Sequence, residues 1–341
     1  MGVPLLITKN LTVGYGQRLL FGSLSLCLRS KAFVCLIGAN GAGKSTLLKT
    51  LAGLQKPLAG RVFFREQNLH QLPPEQRAKH LSMVLTDRLE LDWLSVEELV
   101  SLGRHPYTDW QGRLGAGDRD IVRRAIAAVG LTELRQKSIT QISDGERQKA
   151  MIARALAQQT ELMILDEPTA YLDLPRRVEV MQLLRSLAHT ENRSVLMSTH
   201  DLDLALRSAD QLWLVTASRD LVMGTPEELV LQGALGATFG SDRFEFDRVS
   251  GQFQLNYQRR SPIQLQGEGL VTTWTARALT RLGYEITTEA TDLVLEVRSN
   301  PDLWILNCGD RPLKFQSLGE LSTHLQAYNM NTVDQSGHGR H

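Results

Sequence analysis

Nine consecutive residues, Gly38-Ala39-Asn40-Gly41-Ala42-Gly43-Lys44-Ser45-Thr46, fit the spacing G-x-x-x-x-G-K-[ST]. The chemistry of that spacing is phosphate binding. Glycine lets successive backbone N–H groups turn toward one anion. A helix beginning at the lysine adds the positive end of its dipole. Gly38, Asn40, Gly41, Gly43 and Thr46 would form the cradle, Lys44 would reach the β- and γ-phosphates, and the Ser45 hydroxyl would ligate Mg²⁺. The flanks fit as well: Phe33-Val34-Cys35-Leu36-Ile37 is an apolar, strand-favouring run, and Ser45 to Ala52 is helix-forming and closed by Gly53. A nucleoside triphosphate is the expected ligand.

Further groups with chemistry lie downstream. Leu162-Met163-Ile164-Leu165 is too short for a helix and is bounded by Asp166 and Pro168, the pattern of a buried parallel strand. Asp166, at its C-terminal end, can hold Mg²⁺ through water. Glu167 is the natural group to orient or deprotonate an attacking water. Ser143, in Ile142-Ser143-Asp144-Gly145-Glu146-Arg147-Gln148, opens a helix whose first N–H groups can bind anionic oxygen. Taken alone, Ser143 would be an ordinary N-cap.

The elements that position these groups follow from periodicity. The first sixty residues alternate apolar and polar positions with glycine punctuation, which predicts short strands. Residues 73–130 read as mainly helical, with a capping box at Ser95-Val96-Glu97-Glu98 and Asp118 as the cap of a helix ending at Gly130. Helices are expected from Glu146 to Gln159 and from Pro175, the latter with Val178, Met181, Leu184 and Leu187 on one stripe, and a second buried strand at Ser194–Ser198. Thr225-Pro226-Glu227-Glu228 is another capping box, with its helix ending near Gly233. Strands and helices alternating around a phosphate loop give an α/β fold with a largely parallel sheet. The texture changes after Gly240: a hairpin turning at Ser250-Gly251, then a small α+β domain with helices at 272–282 and 318–325. The expected organisation is a nucleotide-binding domain at 1–240, containing a helical part at about 85–160, an accessory domain at 241–328, and a disordered tail at 329–341.

Composition narrows the class. The chain has 341 residues and a formal net charge of +1, which gives no electrostatic support for nucleic-acid binding. No run is long and apolar enough to span a bilayer, and the N-terminus lacks the basic and apolar regions of a signal peptide. Cys27, Cys35 and Cys308 are widely spaced and odd in number, so buried free thiols in a reducing compartment are expected. Trp274, Tyr284 and Trp304 in the accessory domain read as core aromatics ahead of a ligand pocket.

The succession of the phosphate loop, Ser143-Asp-Gly-Glu-Arg-Gln148, Leu165-Asp-Glu-Pro-Thr169, Tyr171-Leu-Asp173 and Ser198-Thr-His-Asp201 resembles the nucleotide-binding subunit of an ABC transporter over about Leu5 to Gly240. The resemblance implies an ABC-type P-loop NTPase that binds ATP and Mg²⁺ and hydrolyses ATP. It implies that Tyr15 stacks on adenine and that His200 contacts the γ-phosphate. It further implies that Ser143 and Gly145 contact the γ-phosphate of a second copy arranged head to tail, with Asp173 at the interface between them. Integral membrane permease subunits, and indirectly an external substrate-binding protein, would be the other partners, and the chain would sit at the cytoplasmic face of the cell membrane. Ser101-Leu-Gly-Arg-His-Pro-Tyr107 and Gln76-Arg-Ala-Lys79 resemble, within that family, the ATPases of importers for ferric siderophores, haem and vitamin B12; Arg104 and Tyr107 have packing as the simpler role. The alternatives are a subunit of an exporter or lipid transporter, and a soluble ABC protein.

Two positions depart from the family pattern. Asp144 and Glu146 replace the first glycine and the glutamine of Leu-Ser-Gly-Gly-Gln. Thr86 stands where the family has a glutamine touching Mg²⁺ and the permease, which implies altered coupling through Thr86 or Asp87.

Overall fold

The computed structural model describes residues 3–85, 93–241, 244–255, 261–299, 302–308 and 311–336. Thr86 and Asp87 lie outside the described residues. The chain divides into two compact units, Met1–Gly240 with Phe246–Gln252, and Ser241–Glu245 with Phe253–His341. The division runs through a hairpin of Phe244–Asp247 and Gln252–Leu255. Phe246, one residue of it, is buried in the apolar core of the larger unit.

The centre of the larger unit is a six-stranded sheet. Its strands run in the order Leu221–Gly224, Gln211–Val215, Phe33–Ile37, Ser194–Ser198, Leu162–Leu165 and Leu81–Val84. All are parallel except the edge strand Leu221–Gly224. Buried parallel strands are apolar on both faces, because helices or a second sheet cover each side. Phe33, Cys35, Ile37, Met163, Leu165, Val195 and Met197 face one core with the helices Asp144–Ala157 and Leu174–Thr190. Val34, Leu36, Leu162, Ile164 and Leu196 face the other, against the helix Lys44–Leu51 and an antiparallel sheet built on Pro4–Tyr15.

The strand Leu81–Val84 lies inside the stretch from residue 73 to 130 that reads as mainly helical, and periodicity does not reveal it. The helix Pro74–His80 runs straight into that strand with no glycine or proline between them, so nothing local marks the change. Pairing with Leu162–Leu165 decides it. The helices of the inserted part are Val96–Ser101 and Ala116–Ala128, and Asp144–Ala157 packs with both. Ser95 forms its capping box as read. Asp118 is not the N-cap, which is Gly115; it stands at the third helical position, where its carboxylate accepts from Gly115 N at 3.0 Å and from Arg104 Nε at 2.9 Å.

Arg104 ties this part together. It is 4% exposed, and its Nη1 donates to the Ala157 carbonyl at 2.8 Å and to Gln159 Oε1 at 3.0 Å. The Tyr107 ring lies 4.0 Å from the guanidinium carbon. Packing is therefore an observed role of Arg104 and Tyr107.

The smaller unit carries a five-stranded sheet in the order Tyr284–Thr287, Ser261–Gln266, Val294–Arg298, Leu303–Asn307, Leu313–Phe315, with helices Leu270–Arg281 and Leu318–Ser336. Tyr284 and Trp304 are in its core: Tyr284 Oη donates to the Leu325 carbonyl at 3.0 Å and Trp304 Nε1 to Thr275 Oγ1 at 2.7 Å. Trp274 is 54% exposed, so the three aromatics do not share one pocket. The last helix continues to Ser336, beyond the expected start of a disordered tail at 329. From Glu320 to Ser336 no glycine or proline interrupts it.

Replacing Arg104 by Met strands the Asp118 carboxylate and two carbonyl acceptors. The larger unit is expected to lose on the order of 2–4 kcal/mol, read as a lowered denaturation midpoint, whereas Arg123→Met, at an exposed pair with Asp120, should change it little.

Candidate nucleotide site

The phosphate loop joins the end of the strand Phe33–Ile37 to the helix Lys44–Leu51. Gly43 ends the loop at φ +100°, a conformation open to glycine. A Cβ there would also meet Phe21 Cε2 at 3.0 Å, so both backbone and neighbours demand glycine. Lys44 is 5% exposed, and its ammonium donates to the carbonyls of Gly38 at 2.9 Å and Ala39 at 3.1 Å. Burial lowers its pKa from the ordinary lysine value, partly offset by the charges of Glu167 and Asp166.

The two neighbouring strands deliver the other groups. Asp166 follows Leu162–Leu165 and is 4% exposed. Ser198, the last residue of the adjacent strand, donates its hydroxyl to Asp166 Oδ1 at 2.7 Å and accepts the Glu167 N–H at 2.9 Å. One hydroxyl thus fixes both acidic residues. Glu167 has φ +49° and Tyr171 φ +65°, so the turn between them holds strain of the kind found at functional sites. His200 Nε2 lies 2.5 Å from Glu167 Oε1 and 3.4 Å from Lys44 Nζ.

These groups surround a cavity of about 320 Å³. Asn40, Gly41, Gly43, Lys44, Ser45 and Thr46 form its floor, and Glu167 and His200 form one wall. Tyr15 stands at its other side, half exposed. Gly38 lies behind the floor as an acceptor for Lys44, and Asp166 lies behind Glu167. Arg18 also lines the cavity and was not read from the sequence. It is paired in register with Tyr15 across a two-residue turn and donates from Nη1 to Tyr15 Oη at 3.1 Å. An arginine three residues after a tyrosine carries no local signature; only the hairpin brings the two together.

Ser143, Gly145 and Asp173 do not line this cavity. Ser143 caps the helix Asp144–Ala157, and Asp173 caps Leu174–Thr190 by accepting the Arg176 N–H at 3.1 Å. The helix of Ser143 starts at Asp144, two residues before the expected Glu146.

A glycine-rich loop ending in a buried lysine, with an acidic strand end and a histidine lining the same cavity, defines a nucleoside triphosphatase of the phosphate-loop class. The ABC transporter family model matches residues 21–170, and the model described as an iron ABC transporter C-terminal domain matches 260–326. An ABC transporter ATP-binding protein of Methanocaldococcus jannaschii is 39% identical over 76% of this chain and 89% of its own length. The petrobactin import ATP-binding protein of Bacillus anthracis is 38% identical over 65% and 82%, and the iron(3+)-hydroxamate import ATP-binding protein of Bacillus subtilis 36% over 70% and 88%. Among solved structures, an inward-facing metal-chelate type ABC transporter aligns with a TM-score of 0.62 at 28% identity, covering 69% of this chain and 89% of that one. A dimeric bacterial ABC transporter cassette aligns at 0.54 and 25%, covering 61% and 93%. The chain belongs to the ATP-binding proteins of ABC transporters, which bind and hydrolyse ATP.

An anionic phosphate beside Lys44 raises the lysine's pKa above its lowered value in the free protein. ATP binding is therefore expected to take up protons at alkaline pH, and affinity to fall as pH rises through the free-protein value. Calorimetry in buffers of differing ionisation enthalpy measures that uptake, and Lys44→Ala should abolish it together with most of the binding.

Proposed function

We propose that this chain is the ATP-hydrolysing subunit of a membrane importer for an iron chelate, a siderophore or haem, or for the related cobalamin. The observation that carries the hydrolytic part is Glu167 held at the mouth of the phosphate cavity within hydrogen-bond reach of His200. In this reading Lys44 and the loop N–H groups bind the β- and γ-phosphates, and Tyr15 supports the base. Glu167 takes a proton from the attacking water as the water oxygen bonds to the γ-phosphorus and the bond from that phosphorus to the β,γ-bridging oxygen breaks; ADP leaves with the electron pair, and His200 donates to the γ-phosphate. Among the described residues no three histidine, cysteine or acidic side chains cluster as a closed metal site. The Ser45 hydroxyl and the Asp166 carboxylate are instead a sparse set of hard oxygens, which suits Mg²⁺ completed by water and phosphate. When bound, the ion neutralises charge developing between the β- and γ-phosphates.

The placement of Ser143, Gly145 and Asp173 outside the chain's own cavity supports their use by a second copy, head to tail, as does the dimeric relative. The iron-type match over 260–326 and the named importers among the relatives support the substrate class. No described helix is long and apolar enough to cross a membrane, so a separate permease would supply the path, with this chain at its cytoplasmic face.

A groove of about 480 Å³ beside the inserted helices offers that permease a seat, lined by Leu54, Met83, Leu85 and Met151 together with Arg77 and Arg154. Burial lowers the pKa of Arg154, and no hydrogen bond or ion pair engages its guanidinium among the described residues. A short apolar segment carrying a carboxylate would fit it.

A tagged Glu167→Gln chain, trapped with ATP in its native cell and purified from gently solubilised membranes, is expected to bring down a permease related to iron-chelate or cobalamin importers. Hydrolysis by this variant should drop about 10²–10⁴-fold. A different class of permease would end the iron-chelate reading; recovery of only soluble proteins would end the importer reading. Adding Arg154→Glu to the trapped form should release the permease while ATP stays bound.

A further inference from the structure

The first turn of the helix Asp144–Ala157, next to its cap Ser143, carries a carboxylate where neutral chemistry would be expected near an anionic ligand. Glu146 Oε2 accepts from both donors of Ser143: the backbone N–H at 2.8 Å and the hydroxyl at 2.8 Å. The backbone N–H of Glu146 points back to Ser143 Oγ at 3.4 Å. The hydroxyl proton of Ser143 is therefore committed to its own chain. These hydrogen bonds, followed by the charges of Arg176 and Lys137, hold the Glu146 acid below the usual carboxylate range, so it is charged at neutral pH.

This first turn has little freedom to escape the arrangement by moving its backbone. Gly145 is buried, and a Cβ on it would meet Arg176 Cδ at 2.7 Å and Nη1 at 3.0 Å. Arg176 belongs to the helix capped by Asp173, so Gly145 and the expected interface residue Asp173 are both packed against one side chain's helix. Asp144, the other acidic residue of this first turn, pairs with Arg147 at 3.8 Å and is half exposed. Of the two carboxylates, Glu146 alone occupies the donors of Ser143.

We propose that Glu146 is an internal competitor for the γ-phosphate of the second copy's ATP, and that it sets the ATP concentration at which two copies close. The inference rests on the reading that Ser143 and Gly145 serve the partner's nucleotide. For Ser143 Oγ to donate to that phosphate, its hydrogen bond to Glu146 must break, and the carboxylate remains beside a second anion. Arg176 offsets part of that repulsion. Glutamine at the same position keeps an acceptor for the Ser143 N–H, and so keeps the cap, while removing the charge. Glu146 is a positioning residue: it acts on the nucleotide through Ser143.

The test compares Glu167→Gln with Glu167→Gln/Glu146→Gln. Dimer formation is followed by sedimentation against ATP concentration, and binding of a fluorescent ATP analogue to the dilute monomer is measured in parallel. The midpoint for dimerisation is expected to fall about fivefold to tenfold in the double variant. Monomer affinity should stay unchanged, because Ser143 does not line the chain's own cavity. A midpoint that stays the same or rises overturns the proposal, as does an equal shift in monomer binding. If Glu167→Gln alone fails to dimerise at any ATP concentration, the underlying two-copy reading is what falls.

Discussion

Three buried parallel strands hold the charged groups of the nucleotide site that the phosphate chemistry needs. Phe33–Ile37, Ser194–Ser198 and Leu162–Leu165 lie side by side with their carboxyl ends together. The phosphate loop, His200 and the Asp166-Glu167 pair leave from those three ends. The register is fixed because every residue of these strands is buried and each face meets a different core. A slip of one residue would exchange the faces and part Ser198 from the two acidic residues it binds.

That scaffold lets opposite charges be held close without collapsing into a closed ion pair. Lys44 is almost wholly buried, yet its ammonium bonds to two carbonyls of its own loop, and the acidic pair stands on the next strand but one. Burial weakens the charged lysine, and the carboxylates only partly restore it. An incoming phosphate supplies the charge that the site lacks. The start of the helix Asp144–Ala157 shows the opposite arrangement: there the protein fills the donors at a helix N-terminus with its own Glu146 carboxylate.

Much of this was legible in the chain because phosphate chemistry is written locally. The loop, the flanking strand and helix, and Asp166-Glu167 at a strand end each fit within ten residues. The hairpin at Ser250-Gly251 and the capping boxes at Ser95 and Thr225 were equally local. What escaped depended on distance in sequence. Arg18 joins the site only through register with Tyr15, and Leu81–Val84 is a strand only because Leu162–Leu165 lies beside it. Arg104 was readable as a motif, but its partners at Asp118, Ala157 and Gln159 were not. Glu146 is instructive in another way. Ser143-Asp-Gly-Glu146 has the same S-x-x-E spacing as Ser95-Val-Glu-Glu98, so the capping box is written in the chain, although the same residues also depart from a family pattern.

The central claim is that each ATP site is completed by a second copy of this chain. The specific rate of ATP hydrolysis by the purified protein, measured across a wide range of chain concentration at saturating ATP and Mg²⁺, tests it most directly. The account predicts that activity per chain rises with concentration and levels off as copies pair, and that admixed Lys44→Ala chains suppress more activity than their share of the protein. A rate per chain that stays constant down to concentrations at which the protein is monomeric would contradict it.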